Sequence, residues 1–174
     1  MLVAGIKPIR GGLCNLATGE AKTLLVNPTE LAEQVRVNYN RVQIPGLSHL
    51  RLQYVGTGNV SIPIEFYLDR FVAREASGDE DPDILDFRNF LQALTVPVSG
   101  ATGVAGGGPP RALFFWPGVL SMTCVVTNLE FRYQTFDVFG DVLIYRARTT
   151  LEEARLVRMT SSQLRSRGSQ RGPT

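Results

Sequence analysis

Val60-Ser61-Ile62-Pro63-Ile64-Glu65-Phe66-Tyr67-Leu68 alternates without a lapse: Ile62, Ile64, Phe66 and Leu68 share one side, and Ser61, Pro63, Glu65 and Tyr67 the other. A period of two is the pattern of a strand with one buried face. Pro63 has no N–H to give to a ladder, which puts this strand at an edge or puts a break there. The same pattern recurs outward from this stretch. Val35, Val37 and Tyr39 share a side beside a strand predicted over 36–43, and further strands are predicted over 113–116, 119–133 and 142–151. In the strand over 119–133, Leu129, Phe131 and Tyr133 oppose Glu130, Arg132 and Gln134. A first hairpin is predicted from 13–16 and 22–26 around the turn Ala17-Thr18-Gly19-Glu20, and a late one turns at Phe139-Gly140-Asp141.

Helical spacing occurs in one place. Ile84, Phe87, Phe90, Leu91 and Leu94 recur at three and four residues, after Asp83 as a candidate cap and before the stop at Pro97. Such a helix is short and amphipathic, and is expected to cover an opening in a sheet. Residues 77–81 (acidic, with Gly78) and 99–110 (glycine-rich, ending in Pro109-Pro110) are predicted loops. Residues 161–174 are rich in Ser, Arg and Gly with no apolar period, and from Arg155 onward there are five arginines and no acid. That composition describes a tail without a core of its own.

The bulk numbers describe one globular domain of ordinary composition, with 44% hydrophobic and 20% charged residues and a net charge of +2. So small a charge does not argue for nucleic acid. Of the 18 basic residues all but Lys7 and Lys22 are arginine, a bias that suits bidentate contacts with carboxylates at protein interfaces. Cys14 and Cys124 form no motif and are expected to be free, half-buried thiols. The N-terminus lacks a charged region followed by an apolar stretch, so no signal peptide is read and synthesis in the cytoplasm is expected. No apolar run approaches the roughly 20 residues that span a bilayer.

Chemistry is mostly not found. The glycine-rich loop lacks the Gly-Lys-Ser/Thr ending of a phosphate-binding loop and leads into a strand. His49, the one histidine, lies in a turn-rich connection without a nucleophile elbow, a nearby acid or companion metal ligands. Glu152-Glu153 and the run Asp79-Glu80-Asp81 with Asp83 fall at a strand end and in a loop, where solvated charge or an interface ion pair is the default. No catalytic, cofactor-binding or metal-binding residue is therefore assigned, no cofactor is expected, and the chain does not read as an enzyme.

Several short motifs in order resemble one family: Asn27-Pro28-Thr29-Glu30-Leu31, Val42-Gln43-Ile44-Pro45-Gly46-Leu47-Ser48-His49, and Leu52-Gln53-Tyr54-Val55-Gly56-Thr57-Gly58. Pro109-Pro110-Arg111, Trp116-Pro117, Val125-Val126-Thr127 with Tyr133, Phe136 with Gly140, and Thr150-Leu151-Glu152 follow. Over roughly residues 7–155 the chain resembles the N-terminal tube-like domain of the LysM-type baseplate protein of contractile phage tails and extracellular contractile injection systems. The resemblance implies a mainly β fold, a tail-tube-like, partly open antiparallel β-barrel of two sheets with one short flanking helix. The tube-like domain would be residues 1–155, followed by a basic Ser/Arg-rich tail over 156–174, disordered or ordered by a partner.

The implied function is structural: a baseplate adaptor or tube initiator forming a hexameric ring between the spike hub and the inner tube. Its partners would be itself, the trimeric spike hub protein, the inner tube protein, and a baseplate wedge or a separate LysM protein. No membrane is implied, and nucleic acid would be met only through the lumen of a phage tail or injection particle. Family members of this kind continue into a LysM module after the equivalent of Glu152, where this sequence has its Arg/Ser tail, so no peptidoglycan binding is expected. The alternative is a ligand- or carbohydrate-binding β-sandwich module with Trp116 as the aromatic candidate, although its place in a strand pattern makes Trp116 more simply core. A small hydrolase built on His49 is the third reading.

Because residues 161–174 carry too little apolar surface to fold alone, their deletion is expected to leave the thermal midpoint of the domain unchanged. A large fall in the midpoint, measured by circular dichroism on the isolated protein, contradicts that reading.

Overall fold

The computed structural model describes residues 9–97 and 107–154. Its elements are β1 (Gly12–Asn15), β2 (Ala21–Thr23), β3 (Gln34–Val42), β4 (Arg51–Asp69), α1 (Arg70–Ser77), α2 (Leu85–Ala93), β5 (Ala112–Trp116), β6 (Leu120–Phe136) and β7 (Val142–Glu153). The mainly β, partly open antiparallel expectation holds: the seven strands form one sheet in the order β2-β1-β5-β6-β7-β4-β3, and it does not close. The expectation of two sheets does not. One strand does the work of two, because β4 pairs with β3 from Arg51 to Ser61 and with β7 from Ser61 to Asp69.

The alternation that opened the sequence reading lies in the second half of β4. Ile62, Ile64, Phe66 and Leu68 stand opposite Leu151, Thr149, Ala147 and Tyr145 of β7, and all eight are buried. Full burial of one large apolar side chain contributes about 1.5–3 kcal/mol, so this double row is a major part of the core. Pairing with β3 ends at Ser61, so Pro63 sits where β4 has a single neighbour and its missing N–H costs no ladder bond on the open side.

On β6 the buried parity changes. Met122 and Cys124 face the core, but beyond Val126 the partly buried positions are Leu129 and Phe131. A bulge produces the change: Val126 pairs with Leu151 and Asn128 with Thr150, leaving Thr127 as the extra residue. Two hydroxyls pin it. Thr149 Oγ1, fully buried, donates to the Asn128 carbonyl at 2.8 Å, and Thr127 Oγ1 donates to the Thr150 carbonyl at 3.2 Å.

Helix α2 fills the concave face. Ile84, Phe87, Phe90, Leu91 and Leu94 join the core as their spacing predicts, and Phe87 meets Phe66 edge to face at 5.4 Å between centroids. Asp83 accepts from the Leu85 N–H at 2.9 Å, so it does serve the first turn. The helix is tied to the sheet by the buried Tyr145 hydroxyl, which donates to the Ile84 carbonyl at 2.7 Å. Burial raises the pKa of that hydroxyl, so it stays protonated and a donor.

A second helix, α1, corrects the expectation of one. It buries none of its residues, and its apolar side is limited to the partly buried Val72 and Ala73 with the exposed Phe71 and Ala76. Its ends define it instead: Asp69 Oδ1 accepts from the Phe71 N–H at 2.8 Å, and Gly78 (φ +75°) donates to the Arg74 carbonyl at 2.9 Å.

At the other sheet edge, β1 meets β5 through a contact only glycine permits. A Cβ on Gly12 would lie 2.8 Å from the Lys22 carbonyl oxygen and closer still to the ring of Phe115, its cross-strand partner. Removing the hydroxyl that holds α2 to the sheet, by Tyr145→Phe, is expected to cost about 0.5–1.5 kcal/mol, the net value of one buried hydrogen bond. The check is a lower urea midpoint with an unchanged slope.

Candidate functional site

The sequence singled out no catalytic group, and the residues it weighed lie apart. His49 is exposed in the β3–β4 connection. Cys124 is buried, its Sγ 3.6 Å from the Ala112 carbonyl, and burial pushes its thiol up to about 12. Cys14, also a free thiol, is half-buried at the end of β1. Glu152 accepts from the Asn59 side-chain amide at 3.2 Å. In the acidic loop Asp81 is paired with Arg70, and Asp79 accepts from the Asp81 N–H. Trp116 packs partly buried against the core. Of the glycine-rich loop, residues 99–106 lie outside the described residues, as does the tail from 155 onward. Among the described residues no group of three His, Cys, Asp or Glu is placed to hold a metal ion.

The convex face of the sheet carries an ion-pair ladder. Glu65 of β4 receives Arg148 Nη2 at 2.9 Å and Arg146 Nη1 at 3.0 Å, both from β7. Arg146 also stacks over Tyr67, 5.6 Å from the ring centroid, and on β6 Arg132 pairs with Glu130 at 2.7 Å. Beside this ladder runs a groove of about 680 Å³ lined by Asn27, Pro28, Pro63, Glu65, Tyr67 and others. Its carboxylate Glu65 is already held by two guanidinium groups, which suits cross-strand adhesion rather than proton transfer. Asn27 is structural as well: it accepts from the Gly11 N–H at 3.1 Å and donates to the Ile9 carbonyl at 2.8 Å.

What lacks internal support is the arm formed by β3 and the first half of β4. All nine residues of β3 are exposed. Tyr39 and Tyr54 stand opposite each other with centroids 5.9 Å apart, and Leu52 and Tyr54 remain 58% and 59% exposed. The side shared by Val35, Val37 and Tyr39 is real, but among the described residues it stays exposed. At the base of the arm Val35 pairs with Val60, which packs against the core. The apolar side of the arm is therefore the concave, core-facing side of the sheet continued past the core. Register shifts against Val35/Val37 and Asn38/Tyr39 place the extra residues on β4, where Gly56 and Gly58 stand and Val55 is exposed. The connection turns at Pro45-Gly46, where Gly46 has φ +89° and the Leu47 N–H bonds the Ile44 carbonyl at 3.1 Å, the geometry of a type II turn.

A two-stranded ribbon is at best marginal in water, and a free strand edge is a template for pairing. An arm whose core-type face is left open is thus built for a partner, and the motifs over 42–49 and 52–58 fall on it. Residues 13–159 match the family model described as contractile injection system tube protein. The chain belongs to this family. A comparison with curated proteins finds no match. As a contractile injection system tube protein the chain is a structural component that assembles with others into a tail or injection particle. The family explains why the prominent feature is an open surface and not a pocket.

Hydrogen bonds from Arg148 and Arg146 hold the Glu65 carboxyl below the usual carboxylate range, against an opposing effect of burial. A carboxyl lowered in the folded state stabilises fully above its unfolded value near 4.5 and loses that stabilisation as pH falls through the lower, folded value. The pairs are largely solvated, so the effect is a few tenths of a kcal/mol. Lowering the pH from about 6 to about 3 is expected to shift the urea midpoint of the wild type more than that of Glu65→Gln, and equal shifts contradict the assignment.

Proposed function

We propose that this tube-family protein is the adaptor that starts the tube: a six-subunit ring seated between the trimeric spike hub and the first layer of inner tube protein. The single observation that carries an assembly role is the exposed apolar side of the β3–β4 arm, which continues the core-facing surface of the sheet past the core formed by the described residues. Contiguous exposed apolar surface of this kind marks interaction sites. The resemblance to the tube-like domain of the LysM-type baseplate protein supports the place at the base of the tube. Contacts with a baseplate wedge or a separate LysM protein belong to the same reading.

A ring is made by a heterologous contact, in which one patch of each subunit meets a different patch of the next. Every such contact must offset the translational and rotational freedom lost on association. The adaptor therefore waits for its template: the purified protein is expected to be mostly monomeric at micromolar concentration and to form a six-subunit layer on the co-expressed spike hub. Mass measurement and electron microscopy of the co-expressed complex read this out. Loss of the gene is expected to leave hub and tube proteins soluble and unassembled. Tubes of normal length growing on the hub without this protein remove the adaptor role.

A further inference from the structure

The molecule is electrically polar along β4. Between Gln34 and Ser61 the chain carries Arg36, Arg41 and Arg51 and no Asp or Glu. All three are exposed, and among the described residues none has an ion-pair partner. At the opposite end of the same strand, the stretch from Asp69 to Arg88 holds seven carboxylates against three arginines. There Asp81 and Asp86 are engaged by Arg70 and Lys22, while Glu75, Asp79, Glu80 and Asp83 are exposed without an ion pair among the described residues. Between α1, α2 and the segment after β2 lies a groove of about 320 Å³, floored by Leu25, Leu68, Ala73, Ile84 and Phe87 and rimmed by Asp83 and Asp86 together with Arg10 and Lys22. At the same end Phe71, Val138 and Phe139 are exposed, the last two at 93% and 89%.

We propose that the arm of one copy seats on the helix-bearing end of the next copy, its Tyr39, Leu52 and Tyr54 side over the α1–α2 groove and Arg41, which stands opposite Leu52 on that same side, against the Glu75–Asp83 carboxylates. This rests on the ring reading and names the two patches that the ring joins. The occupant is a second copy because the arm cannot reach the groove of its own chain. The two lie at opposite ends of a 19-residue strand, a separation of roughly 60 Å at about 3.3 Å per residue. Opposite patches on opposite ends give a head-to-tail contact, which closes into a ring when its rotation closes. Charge complementarity sets its register and speeds encounter, and salt weakens it.

The test uses two variants of the full chain: one with Arg41→Glu on the arm, the other with Asp79→Arg and Glu80→Arg at the helix end. All three positions are exposed, and equal thermal midpoints establish that both variants fold. Self-association is followed by sedimentation at rising concentration, and ring formation on the hub by electron microscopy. Each variant alone is expected to associate at least tenfold more weakly than the wild type. An equimolar mixture is expected to recover association, since each arm then meets a groove of opposite charge, and six positions accommodate two alternating copies. Wild-type association by either variant alone, or a mixture that fails to recover it, overturns the contact. In either case a wild-type ring still present on the hub leaves the adaptor role standing, whereas a wild type that forms no ring while the mixture recovers association in solution removes the adaptor role and keeps the contact.

Discussion

The ladder between the second half of β4 and β7 carries the rest of the structure, because both strands place apolar side chains opposite one another on the same face. Ile62 with Leu151, Phe66 with Ala147 and Leu68 with Tyr145 form a strip against which α2 can lie. That strip also sets the height of the helix: Tyr145 reaches the Ile84 carbonyl, and Phe66 meets Phe87. On the other face the same ladder is laced by Glu65 and its two arginines. A slip of one residue in register would exchange the faces, burying the ions and exposing the apolar row, so this pairing is specified from both sides.

Bulges let long strands serve one core. At Thr127 the extra residue on β6 moves the inward side from Met122 and Cys124 to Leu129 and Phe131, and the hydroxyls of Thr127 and Thr149 satisfy carbonyls that the disturbed ladder leaves behind. On β4 two further irregularities separate the buried half from the arm. Increased local twist at such points turns a strand away from its sheet. The protein thus spends a single 19-residue strand on two tasks, holding its own core and presenting a surface for assembly.

Much of this was legible in the chain itself. The period of two over 60–68, the two hairpins and the stripe of Ile84, Phe87, Phe90, Leu91 and Leu94 each stated a local structure that is present. The caps of α1, Asp69 and Gly78, and the contrast between the arginines of the arm and the carboxylates of 69–88, were also in the sequence. Neither is a strong local signal: α1 buries none of its residues, and net charge averages the two ends to +2.

What the sequence by itself determined is which residues share a side: alternation and helical spacing follow from backbone geometry within a few residues, and they need no knowledge of the rest of the molecule. Whether a side is covered was decided only by the tertiary structure. Val35, Val37 and Tyr39 read as well as Ile62, Ile64 and Phe66, yet the first set lies open and the second is buried. The merging of the expected two sheets into one belongs to the same level, since it depends on where the pairing of β4 passes from β3 to β7. Burial depends on contacts between residues far apart in the chain, such as Phe66 with Phe87 or Tyr145 with Ile84, and no local periodicity carries that distance.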